Sequence, residues 1–202
     1  MGAKHLSPIG TMVFGNVVEA RMNDYGNSEW GCGLRLTEEE SSTMLKVVED
    51  QLAEKRKFDP KFPKTNEGLK FPFRAAKEKN EAGEWVQGLT TDLLWTINRK
   101  TIRKDRAGLE VKNSPPTIYD SNGTIVTDMP DVGFGSKIKA VYDAYVYDRP
   151  GNKGVKFELI GIQVVELKEA SAPIEIPAIE GGGWVAESAA EPVSDMAALL
   201  SA

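Results

Sequence analysis

The sequence GFGSKIKAVYDAYVY, at residues 133–147, raises the question of whether this chain binds a nucleotide or opens a β-strand here. Its first five residues combine two glycines, a serine and a lysine, as a phosphate-binding loop does. A Walker A loop, however, needs Gly-Lys-Ser/Thr between a strand and a helix. Here Lys137 follows Ser136, and the residues after it alternate in polarity with the period of a β-strand. The stretch therefore predicts the entry to a strand rather than a nucleotide-binding loop.

The two faces of this predicted strand differ in chemistry. One face is apolar and carries Ile138, Ala140, Tyr142 and Ala144. The other carries Lys137, Lys139, Tyr145 and Tyr147. Lysines neutralise phosphates, and aromatic rings stack on unpaired bases at about 1–3 kcal/mol per base. The same face could equally hold tyrosines that cover a second apolar layer beside solvent-exposed lysines. The strand alone leaves both interpretations open.

Similar patterns predict the other strands. Apolar, β-rich or alternating stretches place strands near residues 11–20, 31–37, 84–98 and 154–168. Asn122-Gly123 indicates a hairpin turn within residues 116–128. The strand at 84–98 would carry its large apolar side chains on one face, namely Trp85, Leu89, Leu93, Trp95 and Ile97.

One helix is predicted over residues 38–57. Thr37 is a typical N-cap, and Glu40 completes a capping box. Apolar and amide side chains then recur at helical spacing, at Met44, Val47, Val48, Gln51 and Leu52. Pro60 ends the pattern. One amphipathic helix with five or six strands predicts a mainly β fold, most economically a partly open barrel.

The composition excludes several classes of site. The chain has 202 residues and a single cysteine, Cys32, which excludes an intramolecular disulfide and a multi-cysteine zinc site. The single histidine, His5, argues against Ser-His and Cys-His catalysis. The first ten residues lack the apolar run of a secretory signal, and no apolar stretch could span a membrane. We therefore expect an intracellular, soluble protein.

The net charge of −5 is unevenly distributed. The chain carries 25 bases and 30 acids, and residues 170–202 hold five of the acids and no base. The first 169 residues are therefore neutral, which predicts a folded domain over 1–169 and a flexible acidic tail over 170–202. Within the domain, residues 98–106 and 74–79 concentrate bases, whereas residues 38–50 concentrate acids.

Two parts of the chain resemble the single-stranded-DNA-binding (ssDNA-binding) proteins of short-tailed, podovirus-type phages. YGNSEWGCGLRLT, residues 25–37, contains the Tyr-Gly-Asn turn that precedes the helix in those proteins. Residues 131–167 contain a Gly-x-Gly-Ser-Lys strand entry and a later strand that ends in Val-Glu-Leu. The resemblance is most specific over residues 115–167 and looser over residues 8–58.

The resemblance implies an OB-fold barrel that binds ssDNA without catalysis, cofactor or metal. It implies a role in DNA replication, recombination and repair in the cytoplasm of an infected bacterium. It also implies an acidic tail that competes with DNA and docks a phage DNA polymerase or helicase-primase. The tail of this chain is sparser in charge than family tails, and Trp184 is its only aromatic residue. The sequence leaves open whether the protein forms a homodimer.

The resemblance also implies candidate DNA-binding residues. It places Arg35, Lys137 and Lys139 at basic positions, and Phe71-Pro72-Phe73 resembles a Pro/Phe-rich segment of the family. Local clusters of bases and aromatic residues extend the set. The further candidates are Arg74, Lys77, Lys79, Trp85, Arg99, Lys100, Arg103, Lys104, Tyr145, Tyr147, Lys153 and Lys156.

Two other classes of function stay open. A metal-dependent nuclease would need acids that converge in the fold, and the candidates are Asp120, Asp128, Asp131 and Asp143. Their spacing does not by itself indicate metal binding. A β-rich structural or interaction protein is the second alternative. A nuclease consumes an oligonucleotide in the presence of metal, a binder retains it in a salt-dependent way, and a structural protein ignores it.

Overall fold

A computed structural model describes residues 4–105 and 107–168 of the chain. Five strands have eight or more residues, and the other strands have three. The mainly β fold with one helix is confirmed for these residues. The elements in chain order are β1 (Lys4–Leu6), β2 (Gly10–Met22), β3 (Ser28–Leu36), α1 (Glu38–Phe58), β4 (Phe73–Ala75), β5 (Lys77–Lys79), β6 (Trp85–Gln87), β7 (Leu93–Lys100), β8 (Ile102–Lys104), β9 (Glu110–Lys112), β10 (Thr117–Tyr119), β11 (Lys137–Arg149) and β12 (Asn152–Glu166).

Eight strands form one curved sheet in the order β10-β12-β11-β2-β3-β7-β4, with β1 also paired to β11. The β10–β12 pair is parallel, and the other pairs in this sheet are antiparallel. The β5–β6 and β8–β9 hairpins stand apart as two-stranded sheets. The strand order leaves β7 and β12 unpaired with each other, so the barrel is open at this point. This agrees with the partly open barrel predicted from the sequence, which did not place the opening.

Residues 70–73, which we call the closing segment, span the gap between β7 and β12. Lys70 N–H donates to the Lys153 carbonyl, and Val155 N–H donates to the Lys70 carbonyl, each at 2.9 Å. On the other side, Thr96 N–H donates to the Pro72 carbonyl at 2.7 Å. The closing segment therefore holds the two unpaired strands together through backbone hydrogen bonds.

The 133–136 loop forms the entry to β11, and the backbone N–H groups of Gly133, Gly135 and Ser136 donate hydrogen bonds. Gly133 N–H donates to the Lys168 carbonyl at 2.6 Å, and Gly135 N–H donates to the Met12 carbonyl at 2.7 Å. The Ser136 hydroxyl accepts from Lys168 N–H at 2.9 Å. Gly135 has a φ of 87°, a conformation that glycine adopts without strain. The loop therefore ties β11 to β2 and to the end of β12, consistent with a strand entry.

Helix α1 follows the predicted pattern closely. The Thr37 side chain accepts from Glu40 N–H, and the Glu40 carboxylate accepts from Thr37 N–H, which completes the capping box. Its buried side chains are spaced three or four residues apart and comprise Ser41, Met44, Val48 and Leu52. The helix packs this stripe against the barrel. No helix in the described ranges combines the length and apolarity needed to cross a membrane.

A connected series of aromatic rings crosses the core. Trp95 on β7 stacks on Phe157 of β12 with ring centroids 5.5 Å apart, and Phe157 stacks on Tyr142 of β11 at 4.3 Å. Phe73 on β4 tilts onto Trp95 at 4.7 Å. The Trp95 indole N–H donates to the Ser41 hydroxyl on α1 at 3.0 Å. The buried indole is therefore satisfied, and the helix is held to the sheet.

One predicted strand is wrong in its extent. Residues 84–98 do not form a single strand, because residues 88–92 separate β6 from β7. Trp85 and Trp95 consequently lie in different sheets, with Trp85 exposed and Trp95 fully buried. The predicted tail over 170–202 lies outside the described residues.

We expect Gly154→Ala to break the closing segment away from β12. A Cβ at this buried position would lie 2.1 Å from the Lys70 carbonyl oxygen. The free energy of unfolding, measured by urea titration, should fall by about 1–3 kcal/mol, as for other overpacked sites. Lys70→Ala is the control because the bridge uses only backbone atoms of Lys70, and its change should stay within about 0.5 kcal/mol. Equal losses in both variants would contradict this role of Gly154.

Candidate nucleic-acid interface

A groove of about 1100 Å³ lies over the gap between β7 and β12. Its walls are β7, the closing segment, the adjoining ends of β11 and β12, and the β8–β9 hairpin. The β11 and β12 ends reach the groove because a two-residue turn, Pro150-Gly151, joins them with Arg149 opposite Asn152. The groove is therefore built from strands that are distant in sequence and meet only in the folded barrel.

Basic side chains dominate the charge of the groove. Six bases line it together with two acids, Glu110 and Glu158. The six bases are Lys70, Lys100, Arg103, Lys104, Arg149 and Lys156. Among the described residues, no carboxylate lies within 4.0 Å of any of these six cationic groups. The groove therefore keeps an excess of positive charge although the domain as a whole is neutral.

Neutral amides position two of these cations. Lys100 Nζ donates to Asn27 Oδ1 at 3.0 Å, and Arg103 Nε donates to Asn113 Oδ1 at 3.2 Å. An amide oxygen orients a cationic group without cancelling its charge. Both bases therefore keep their attraction for an anion while their side chains are held at the groove wall.

One of the two acids in the groove wall, Glu158, has its own partner. Glu158 Oε1 lies 3.6 Å from Arg99 Nε, and this pair joins β12 to β7. Arg99 Nε is buried and has no hydrogen bond to another described residue. Because Arg99 offsets the charge of Glu158, this carboxylate opposes an anion in the groove less than an unpaired one would.

Three aromatic side chains lie among the cations: Phe71, Tyr145 and Tyr147. Tyr145 is 37% exposed, and burial raises its pKa to about 12, with a smaller contribution from Glu158. Burial also raises the Tyr147 pKa. Both phenols therefore stay neutral at physiological pH and add no negative charge. The tyrosines line the groove, so their rings are available to a ligand there.

Lys156 lies opposite Tyr145 across the β11–β12 pair and is half-buried. Burial lowers its pKa from the usual 10.5, because the interior disfavours the charged ammonium. Its neighbours Glu29 and Glu158 act in the opposite direction and favour the charge. An anion that entered the groove would likewise favour the protonated form of Lys156.

The structure brings seven of the sequence-predicted residues to the groove. They are Phe71, Lys100, Arg103, Lys104, Tyr145, Tyr147 and Lys156. The sequence analysis missed Lys70 and Arg149, which also line it. Lys70 directly precedes the Phe-Pro-Phe segment, and Arg149 ends the strand that carries both tyrosines. Each of the two residues therefore lies next to a motif that the sequence analysis had used to select candidates.

Lys137 and Lys139 lie at the opposite end of β11 from Tyr145 and Tyr147. The alternation predicted for β11 is confirmed. Ile138, Ala140, Tyr142 and Ala144 are buried, and the residues between them are half-buried. The two lysines do not line the groove, however, and Lys137 Nζ donates to Thr11 Oγ1 at 2.7 Å. A strand of 13 residues in a curved sheet thus carries its two polar pairs to separate surfaces.

Four other predicted residues have protein partners. Arg35 Nε binds Asp92 Oδ2 at 2.7 Å, and its Nη2 binds Glu78. The hydrogen bond to Glu78 is the main cause that raises the pKa of the Arg35 guanidinium above its usual value. Arg99 pairs with Glu158, as described above. Within the rest of the set, Phe73 packs on Trp95 in the core, and Lys153 Nζ binds Asp148 Oδ1 at 2.8 Å. None of these four residues is part of the groove lining, although Arg99 contacts it through Glu158.

The remaining predicted residues cluster beyond the closing segment. Arg74 is exposed on β4, and Lys77, Lys79 and Trp85 lie on the β5–β6 hairpin. They form a surface separate from the groove lining.

The acids proposed for a nuclease are dispersed. Asp120 Oδ1 accepts from Asn122 N–H and Thr124 N–H within its own turn, and Asp131 pairs with Arg21 at 3.5 Å. Within residues 4–105 and 107–168, no three His, Cys, Asp or Glu side chains are grouped so that they could hold a metal ion.

Comparison with known proteins gives matches in structure. No protein-family model and no curated protein sequence matches the chain. The crystal structure of gp2.5, a ssDNA-binding protein encoded by bacteriophage T7, matches with a TM-score of 0.59 at 18% identity, over 93% of this chain and 100% of that one. The ssDNA-binding protein from bacteriophage Enc34 matches with a TM-score of 0.57 at 7% identity, over 86% of this chain and 87% of that one.

The chain has the fold of these phage ssDNA-binding proteins. The Enc34 protein in complex with ssDNA matches with a TM-score of 0.56 at 8% identity, over 84% of this chain and 89% of that one. The resemblance first noted over residues 8–58 and 115–167 is thus confirmed at the level of the fold and extends across most of the chain.

Proposed function

We propose that this protein binds ssDNA in the groove over the β7–β12 gap, without sequence specificity and without catalysis. The observation that carries the proposal is the combination in one groove of three aromatic side chains and six bases that have no carboxylate partner among the residues the structure describes. Cations that follow a backbone and rings that stack on bases are the two elements of non-specific ssDNA binding. The likeness to phage ssDNA-binding proteins, one of them in complex with ssDNA, supports the same function.

The geometry suggests a division of labour within the groove. Lys100, Arg103 and Lys104 form one wall and would neutralise phosphates, while Tyr145 and Tyr147 lie on another and would stack on bases. Stacking tolerates any base because every base presents a flat aromatic face. The groove would therefore bind strands of any sequence, and its affinity would depend strongly on salt.

The biological setting belongs to the same proposal. A protein of this kind coats and protects ssDNA in phage replication, recombination and repair, in the cytoplasm of the infected bacterium. The acidic tail would compete with DNA for the basic groove and dock a phage DNA polymerase or helicase-primase. Its five carboxylates over residues 170–202 support a modest competition that screening by salt weakens. A homodimer is compatible with this role.

We expect Lys100→Ala/Arg103→Ala to weaken ssDNA binding more than Lys137→Ala/Lys139→Ala. The first pair lines the groove and the second does not. Each lost phosphate contact should reduce the slope of log K against log salt by about 0.7, and the groove pair by about 1.4. Fluorescence anisotropy with a labelled dT oligonucleotide at several salt concentrations measures both variants.

A larger loss of ssDNA affinity in Lys137→Ala/Lys139→Ala would indicate that the DNA binds at the other end of β11. Failure of the wild-type protein to retain the oligonucleotide would favour a structural role. Metal-dependent loss of the oligonucleotide would favour a nuclease. Each of these outcomes contradicts the proposal.

We expect alkaline pH to weaken binding through Lys156. Its pKa lies below the usual 10.5 in the free protein because of burial. A bound phosphate favours the protonated ammonium and so raises this pKa. Affinity is therefore full below the pKa of free Lys156 and falls as pH rises through it. A dC oligonucleotide suits the titration because its bases lose no proton in this range.

Lys156→Arg is the matched control, because arginine stays charged throughout the range. Its affinity should decline less with pH than that of the wild type. The same decline in both proteins would show that Lys156 does not contact the DNA.

A further inference from the structure

The β5–β6 hairpin presents a second surface with the chemistry of an ssDNA contact. Lys77 pairs with Gln87 and Lys79 pairs with Trp85 across the two strands. Side chains two apart on a strand share a face, so these four residues lie on the same side of the hairpin. Trp85 is 62% exposed, an unusual state for so large an apolar ring.

The position of Glu78 explains why this face is basic. Glu78 is the only acid on β5 and β6, and it points to the opposite side of the hairpin. There the guanidinium of Arg35 binds it and also binds Asp92, at 2.7 Å. Arg35 thus anchors the hairpin to β3 and keeps the Glu78 carboxylate off the outer face. The other two acids of the hairpin, Glu81 and Glu84, lie in its turn, where the Asn80 amide donates to Glu84 at 3.2 Å. The outer face keeps both lysines.

The ring of Trp85 is held but not covered. Lys79 Nζ lies 5.6 Å from its centroid, within the range of cation–π attraction. This contact orients the indole and leaves the exposed part of the ring free for a second flat partner. Lys77, two residues earlier on the same face, makes no ion pair with another described residue. An aromatic platform beside two ammonium groups repeats the pattern of the groove on a smaller scale.

The hairpin also lies within reach of a strand that leaves the groove. Pro72 lines the groove, and Lys77 follows it by five residues. Five extended residues span at most about 18 Å, so the two Cα atoms lie no farther apart than that. An OB fold occupies about 4–16 nucleotides of ssDNA, which is long enough to cover this distance.

We propose that Lys77, Lys79 and Trp85 form a second ssDNA contact, which binds the same strand after it leaves the groove past the closing segment. The proposal rests on the function proposed for the groove and extends the length of DNA that one protein covers. In this contact Trp85 stacks on a base and the two lysines neutralise neighbouring phosphates. Short strands would fill the groove alone, and longer strands would also reach the hairpin.

Tryptophan fluorescence tests the stacking directly. Trp30 and Trp95 are 7% and 0% exposed, so they offer no face to a base. In a Trp184→Phe background, Trp85 is then the one exposed reporter among the tryptophans that remain. We expect a dT oligonucleotide of about 20 nucleotides to quench this fluorescence, and one of about 6 nucleotides to bind without quenching it.

Affinity measurements on full-length variants test the lysines. Lys77→Ala/Lys79→Ala should weaken binding of the longer oligonucleotide about tenfold at low salt and leave the shorter one unchanged. Lys77→Arg/Lys79→Arg should restore it, because arginine keeps the charge. The matched control is Lys46→Ala/Lys57→Ala, two exposed lysines on α1, which should bind both oligonucleotides as the wild type does.

The outcomes separate this inference from the groove function. Unquenched Trp85 together with unchanged affinity of the lysine variants for the longer strand would overturn the second contact and leave the groove intact. Equal weakening for both lengths would place the lysines within the primary site and would also overturn it. Failure of the wild type to bind either oligonucleotide would refute the groove function itself.

Discussion

The packing of Trp95 is the interaction on which the rest of the structure depends. Its ring stacks on Phe157 and contacts Phe73, and its indole N–H donates to Ser41, so one side chain joins β7, β12, β4 and α1. Strands β7 and β12 share no hydrogen-bonded ladder, and the barrel would otherwise splay at this point. The stacked rings join the two strands inside the barrel. At its edge the closing segment joins them through hydrogen bonds to Lys153 and Thr96.

The same opening in the barrel creates the groove. A closed ladder between β7 and β12 would leave a flat wall, whereas a short crossing segment leaves a concave surface over the gap. Phe71 reaches this surface because its neighbours in the closing segment are tied to both strands by their backbones. Amide partners such as Asn27 and Asn113 then orient cations there without neutralising them. Fold and charge thus converge on one site in a domain of zero net charge.

Features of this protein that depend on neighbouring residues could be predicted from the sequence, whereas contacts between residues distant in sequence could not. The Thr37 cap and the alternation through Tyr145 depend on near neighbours, so the helix and the groove tyrosines were predictable. The resemblance placed Arg35 among the DNA-binding residues, and its ion pairs were not predictable because its partners Glu78 and Asp92 lie 43 and 57 residues away. Lys137 lies eight residues before Tyr145 on one strand, a distance of about 26 Å at 3.3 Å per residue, so a shared strand face does not bring the two side chains to one site.

Photocrosslinking tests the central claim, that ssDNA lies in the groove over the β7–β12 gap, most directly. An oligonucleotide with iodouracil at every position would be bound to the full-length protein, irradiated and mapped by mass spectrometry. We predict adducts on Tyr145, Tyr147 or Phe71, whose rings would stack on the bases. Adducts confined to the surface around Lys137 and Lys139, with none on the groove rings, would contradict it.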